Sequence, residues 1–172
     1  LYIMASLCWQ TGRIDESLQY SDAGRLTIGA TDKVQYGMEG WLGSAYQYVG
    51  QPERWAEWCQ AQLARGRDTR TMTRTCLVFA LTTAGCYDDA MAATNGLMDD
   101  AETTGNPYAL SLALLAYGTA LRDADPVRSL AALRRGLVIA QDSGNRFAET
   151  QTAFMLSALE SKHGDRMAAL DY

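Results

Sequence analysis

The side chains best able to act as nucleophiles or metal ligands in this sequence are one histidine and four cysteines. The histidine, His163, lies immediately before Gly164 at a predicted helix end, where an imidazole can bind terminal carbonyls. A metal site or a Cys–His nucleophile needs a second ligand or partner, and none lies near it in sequence. A pairing of His163 with a distant cysteine stays open. The cysteines include no CxxC pair, and they are Cys8, Cys59, Cys76 and Cys86.

Unpaired cysteines commonly behave as small core hydrophobes in a reducing compartment. We therefore expect buried free thiols and a cytoplasmic protein. The spacing predicts neither a metal site nor a redox motif.

Acidic clusters are the other candidates for chemistry, because paired carboxylates can serve as general acids and bases or bind cations. They are Asp15 with Glu16, Asp88 with Asp89, and Asp99 and Asp100 with Glu102. The first two pairs fall in the first turn of predicted helices, where carboxylates favour the positive end of the helix dipole. Calcium ligation would need alternating oxygens and a glycine turn, which these clusters lack. The sequence therefore predicts no enzyme, no metal and no cofactor in this segment.

The overall charge excludes a further class of partner. The 172 residues include 15 basic and 20 acidic side chains, a net charge of −5, which is the wrong sign for gripping a phosphate backbone. The longest nearly apolar run, residues 109–117, is far shorter than the roughly 20 residues that span a bilayer. We expect no direct nucleic-acid contact and no membrane span.

The elements that position these side chains come from a repeat. Five segments, at residues 12–18, 50–56, 85–91, 124–130 and 164–170, share one pattern and start 38, 35, 39 and 40 residues apart. Four open with glycine, which can end one helix just before the next begins. A small residue five places on lets two helices approach closely. Ser17, Ala90, Ser129 and Ala169 fit this position, and Trp55 does not.

Helix boundaries follow from prolines and caps. Pro52, Pro107 and Pro126 fall at predicted first turns, and Asn106 and Asp125 stand before two of them as N-caps. The apolar spacing predicts helices at 1–11, 13–28, 32–49, 52–65, 69–84, 87–104, 107–122, 126–143, 146–163 and 165–172. The predicted fold is all-α, an α–α superhelix (a TPR-like solenoid) of about nine to ten antiparallel helices in a single domain, 1–172.

Both ends of the chain interrupt the pattern. The first helix opens inside its apolar spacing, and the last stops after Asp171 and Tyr172 before completing a pair. Natural solenoids cover a terminal apolar face with polar capping repeats. We therefore expect a fragment of a longer chain, whose uncapped end could form a homodimer.

The run from Trp41 to Tyr46, with Leu42-Gly43 and the following Gly50, resembles the tetratricopeptide (TPR) pattern Leu-Gly-x-x-Tyr. The phrases at 105–109, 124–130 and 142–150 are similar to the C-terminal helical arrays of large actinobacterial regulators. In that family an ATPase module precedes TPR-like repeats, often followed by a LuxR-type helix-turn-helix. The resemblance implies a regulatory sensor or scaffold region whose ATP and DNA binding reside in adjacent domains.

Nine tyrosines and four tryptophans are the remaining candidates. Core packing accounts for most of them, including those around the second helix pair. In arrays of this type the first helix of each pair lines a concave groove. The predicted groove residues are Ser44, Gln47, Tyr48, Thr75, Phe79, Thr83, Arg122 and Lys162.

Such a groove suits an extended peptide, a partner helix or a small amphipathic ligand. The sequence predicts a non-catalytic interaction or effector-sensing module of a signalling or transcriptional regulator. The alternative is a generic scaffold that binds peptides or proteins in its concave groove.

Overall fold

The computed structural model describes residues 1–29, 39–65 and 70–172, and in these ranges the regular structure is helical throughout. The chain divides into two compact units, Leu1–Cys86 (unit 1) and Tyr87–Tyr172 (unit 2). Unit 1 contains α1 (Tyr2–Gln10), α2 (Ile14–Gly29), a 3-10 helix (Glu39–Gly43), α3 (Ala45–Tyr48), α4 (Pro52–Ala64) and α5 (Arg70–Thr83). Unit 2 contains α6 (Tyr87–Ala93), α7 (Leu97–Thr103), α8 (Pro107–Leu121), α9 (Pro126–Asp142), α10 (Arg146–His163) and a 3-10 turn (Ala168–Leu170).

The predicted start signals act as expected. Each of the three prolines occupies the first turn of its helix. Asn106 accepts hydrogen bonds from two backbone N–H groups of α8, the nearer at 3.0 Å, and Asp125 accepts one from Arg128 at 3.0 Å. These side chains satisfy donors that a helix N-terminus leaves open.

Helix pairs in both units are joined by a hydrogen bond at the same repeat position. Ser17 Oγ on α2 donates to the carbonyl of Ala5 on α1 at 2.7 Å. Ser129 Oγ on α9 donates to the carbonyl of Gly118 on α8 at 2.6 Å. Both serines are buried, so the small residue both permits close packing and fixes the register of the pair.

Trp55, the exception in the repeat pattern, occupies that position by a different means. Its indole N–H donates to the carbonyl of Gly40 at 2.6 Å, and the side chain is 1% exposed. A Cβ added at Gly43 would lie 2.5 Å from the Trp55 ring and 3.2 Å from its Cα. The large indole is accommodated because a glycine faces it.

Three predicted helices differ from the observed elements. Residues 30–38 lie outside the described ranges. The described part of the helix predicted at 32–49 is a 3-10 helix followed by α3. The tight approach of Gly40 and Gly43 to neighbouring helices accompanies this winding. The helix predicted at 87–104 is broken into α6 and α7 at Gly96, whose φ of +72° is left-handed. The segment predicted as helix 165–172 forms only the 3-10 turn.

The core of unit 2 surrounds α8. This helix is apolar along nearly its whole length and contacts α6, α7, α9 and α10, as expected for a helix that is apolar on every side. Leu112 on α8, Leu133 on α9 and Leu156 on α10 are completely buried. At the end of α10 the buried Glu160 carboxylate pairs with Arg134 and accepts the backbone N–H of Asp165 at 3.0 Å.

Candidate functional site

An open depression of about 530 Å³ lies on unit 1 between α2 and α4. We call it the arginine pocket; its lining residues are Asp22, Arg25, Leu26, Arg54 and Trp58. Asp22 lies one turn before Arg25 and Leu26 on α2, and Arg54 lies one turn before Trp58 on α4, so each helix presents one face to the pocket.

The hydroxyl group of Tyr46 lies next to the pocket residues, and Tyr46 is completely buried. The hydroxyl donates to the Asp22 carboxylate and accepts N–H groups from Arg25 at 3.0 Å and from Arg54 at 3.3 Å. Burial raises the pKa of Tyr46, and its bond to Asp22 raises it further while Arg25 opposes the shift. The phenol therefore stays neutral, and its hydroxyl holds the two guanidinium groups in place through these hydrogen bonds.

Aromatic rings hold the same two arginines from the side. The Arg25 guanidinium lies 5.4 Å from the ring centre of Tyr46 and 5.1 Å from that of Trp58. The Arg54 guanidinium lies 4.1 Å from the Tyr46 ring centre. These are cation–π distances, and they limit the rotamers available to both side chains.

The charges of the pocket do not cancel. Asp22 lies 3.8 Å from Arg25 and 3.3 Å from Arg54, so one carboxylate is shared by two cations. The side chains of Asp22 and Arg54 are nearly half exposed, which leaves the guanidinium of Arg54 open to a ligand. Among the described residues that line the pocket, the formal charge is positive.

None of the pocket residues was predicted from the sequence. One local signal identifies Arg54: it lies in the first turn of α4, where the positive end of the helix dipole disfavours a cation. A residue that opposes its local preference often marks a functional position. Its partner Asp22 is far away in sequence, so only the fold brings the two together.

The predicted groove residues of unit 1 differ in exposure. Tyr48 is 49% exposed and stacks on Trp9 with ring centres 4.1 Å apart. Thr83 is exposed, and Ser44 and Gln47 are half-buried. Phe79 is half-buried against Trp41, with ring centres 6.1 Å apart. Thr75 is completely buried and its hydroxyl bonds to the carbonyl of Thr71, so it lines no open surface.

The two predicted groove residues of unit 2 meet at one carboxylate. Asp123 lies 3.1 Å from Arg122 and 3.3 Å from Lys162. The Arg122 hydrogen bond and the weaker Lys162 contact lower the pKa of Asp123. Arg122 also donates to the hydroxyl of Tyr87 at 3.3 Å. Arg122 and Lys162 thus form an exposed charged cluster with Tyr87 and Asp123.

The cysteines, the histidine and the acidic pairs considered as reactive or metal-binding groups lie in the core or at helix ends. Three cysteines are buried free thiols as predicted, whereas Cys86 is exposed, so the prediction that all four are buried is wrong for that residue. His163 is the last residue of α10, and the three acidic pairs fall in the first turns of α2, α6 and α7. No group of metal-binding side chains assembles within the described ranges. Across the same residues, every helix is too short or too polar to cross a bilayer.

Comparisons with known proteins place this fold. No protein-family model and no curated protein matches the sequence. A solved structure of a Rap protein complexed with Competence and Sporulation Factor superposes with a TM-score of 0.77 at 11% identity, covering 99% of this chain and 50% of that one. The apo form of RapI superposes with a TM-score of 0.70 at 14% identity, covering 99% and 65%.

The fold is a TPR-like helical repeat. The fold class predicted from the sequence, an all-α chain of the α–α superhelix type, is confirmed by both superpositions. The chain covers 50% of the first Rap protein, so it spans about half of that protein's length. At these identities the likeness concerns the fold alone.

Proposed function

We propose that this chain is a non-catalytic interaction module that binds a peptide or protein effector on unit 1, with the arginine pocket as part of the binding surface. The observation that carries the proposal is the superposition of 99% of the chain on a Rap protein complexed with Competence and Sporulation Factor. The open pocket supports it, because a cluster of aromatic and arginine side chains is typical of binding surfaces.

Selection of peptides from a displayed random library against the 172-residue chain tests this function. We expect selected peptides that bind saturably, with contacts on unit 1 in NMR spectra. Failure to select any saturable binder, or binding confined to unit 2, would contradict the proposal.

The finer proposal is that the module belongs to a multidomain signalling or transcriptional regulator. It rests on the likeness of residues 105–109, 124–130 and 142–150 to actinobacterial regulators with an ATPase and a LuxR-type helix-turn-helix. Sequencing the gene on both sides of this segment tests it. A neighbouring ATPase or helix-turn-helix domain supports the regulator, and the absence of both refutes it.

A second candidate function is a generic scaffold that binds peptides in the groove predicted around Tyr48. The half-exposed stack of Tyr48 on Trp9 favours it, since exposed aromatic side chains are common binding anchors. Tyr48→Ala should then weaken binding of a selected peptide, whereas Phe154→Ala, at an aromatic residue 70% exposed on unit 2, should not. Phe79→Ala is a poorer probe because Phe79 packs against Trp41.

A further inference from the structure

We propose that the arginine pocket binds a peptide carboxylate that lies next to an apolar side chain. The inference rests on the proposed function and names the chemistry of the partner at that site. Four features of the pocket support it: its charge, its rigidity, its apolar walls and its size.

The pocket has two positively charged side chains and one negatively charged side chain, so its net charge favours binding of an anion. Arg25 and Arg54 share the single carboxylate of Asp22, at 3.8 Å and 3.3 Å. A second carboxylate would give two anions for two cations. Each guanidinium presents five donors in a planar fork, which suits bidentate pairing with a carboxylate.

The two arginines are held in place before any ligand arrives. Arg25 lies against the rings of Tyr46 and Trp58, and Arg54 lies against Tyr46 and donates to Gln51 at 2.9 Å. Side chains that are already ordered lose little entropy when a ligand binds. The pocket is therefore pre-organised for a charged hydrogen-bond acceptor.

The walls of the pocket are apolar where they do not carry charge. Leu26 is 77% exposed at the rim, whereas Trp58 lines the pocket with only the 6% of its surface that is exposed. An aliphatic or aromatic side chain next to the bound carboxylate would cover Leu26 and remove its apolar surface from water. The volume of about 530 Å³ falls within the range of small-ligand sites, roughly 300–1,000 Å³.

The charge of the whole chain separates a peptide carboxylate from a polyanion. With a net charge of −5, the chain repels a nucleic acid or another long polyanion at a distance. A single carboxylate meets the pocket at contact distance, where the two nearby guanidinium groups outweigh charges screened by salt beyond about 10 Å. The pocket therefore favours a short peptide with few acidic groups.

Short peptides test the proposal directly. The probe is N-acetyl-Leu-Glu-Phe-amide, compared with its Gln counterpart and with N-acetyl-Leu-Gln-Phe carrying a free terminal carboxylate; inorganic phosphate is a fourth arm. The readout is the indole N–H resonance of Trp58 in NMR titrations, assigned with Trp58→Phe. We expect saturable shifts with one or both carboxylate peptides and weaker binding of the uncharged peptide. Equal shifts with the uncharged peptide, or tighter binding of phosphate than of either carboxylate, would overturn the proposal.

Three variants give the test its controls. Arg54→Gln should weaken binding of the carboxylate peptide about tenfold or more, since charge-assisted hydrogen bonds are lost. Arg54→Lys keeps the charge without the fork and should retain intermediate affinity. Arg13→Gln removes an exposed arginine of unit 1 that pairs with Glu16 at 3.3 Å, away from the pocket, and should leave binding unchanged. Thermal melts of each variant establish that it is folded.

The outcomes separate this inference from the proposed function. If library peptides bind unit 1 but bind Arg54→Gln as tightly as the unaltered chain, the interaction function holds and the carboxylate pocket is refuted. If no peptide binds the chain at all, both fail.

Discussion

Cysteine exposure differs sharply among the four thiols, and this difference can be measured. Cys8, Cys59 and Cys76 are completely buried, and burial raises the pKa of the Cys59 thiol well above its usual range. Cys86 is exposed just after the turn that follows α5. We predict that a thiol reagent modifies one cysteine rapidly in the native protein and the other three only on unfolding, because the reagent cannot reach a buried sulfur.

Mass spectrometry after timed iodoacetamide treatment gives the site and the rate. Cys86→Ser should abolish the rapid phase, and Cys76→Ser should leave it intact. Rapid modification of a second cysteine in the native protein would show that one of the buried thiols is accessible.

The Asp123 carboxylate offers a second test at the level of residues. Its folded pKa is lowered, chiefly by Arg122 and then by Lys162, so its ionised form contributes stability above the ordinary carboxyl pKa. That contribution is lost as the pH falls through the folded pKa. It is small because the side chain is 61% exposed.

We predict that Arg122→Gln raises the Asp123 midpoint in a carboxyl NMR titration more than Lys162→Gln does. The order of the two effects follows from the stronger hydrogen bond of Arg122. Arg146→Gln, which removes an exposed arginine that pairs with Glu149 instead, is the matched control. An unchanged midpoint in Arg122→Gln would contradict the geometry of this cluster.

At the level of elements, the packing of Gly43 against Trp55 accounts for the glycine of the Leu-Gly-x-x-Tyr pattern. A Cβ at residue 43 would lie 2.5 Å from the indole ring, and Trp55 is fixed by its bond to the Gly40 carbonyl. We predict that Gly43→Ala destabilises the protein by about 1–3 kcal/mol, the usual cost of overpacking a core. Urea unfolding measures this loss.

A double-mutant cycle with Trp55→Leu checks the cause. If the cost is steric, Gly43→Ala should be much less destabilising in the Trp55→Leu background, because the shorter side chain leaves room. An equal cost in both backgrounds would assign the effect to the backbone at residue 43 instead.

The same elements indicate how far the sequence predicts structure. Prolines and caps predicted the starts of α4, α8 and α9, since these signals act within one turn. The helix predicted at 87–104 does not include the break between α6 and α7, although Asn95-Gly96 is a common turn dipeptide. The apolar spacing ran through the break and favoured one continuous helix.

The arginine pocket could not be predicted in the same way. Asp22 and Arg54 are contributed by two helices separated in sequence, and their contact depends on how α2 and α4 pack. Periodicity predicts which face of a helix is buried, but it does not predict which polar residues on two exposed faces meet. The same is true of Arg122 and Lys162. The sequence predicts that both line one groove, but it does not predict that both pair with Asp123.

For the whole molecule, each of the two units contains buried residues, and the two differ in amino-acid composition. All four tryptophans, Trp9, Trp41, Trp55 and Trp58, lie in unit 1, so tryptophan fluorescence reports that unit alone. Far-UV circular dichroism reports the helices of both units. In repeat proteins stability is approximately the sum of local terms, so a core mutation should act first on its own unit.

We predict that Leu133→Ala, in the core of unit 2, lowers the urea midpoint measured by circular dichroism more than the midpoint measured by fluorescence. Leu133 is completely buried, and truncation of such a leucine costs about 2–5 kcal/mol. Leu81→Ala, at a buried position of α5, should shift fluorescence at least as much as circular dichroism. Equal shifts of both signals in both variants would mean that units 1 and 2 unfold as one cooperative body, and that a ligand bound at the arginine pocket would stabilise unit 2 as well.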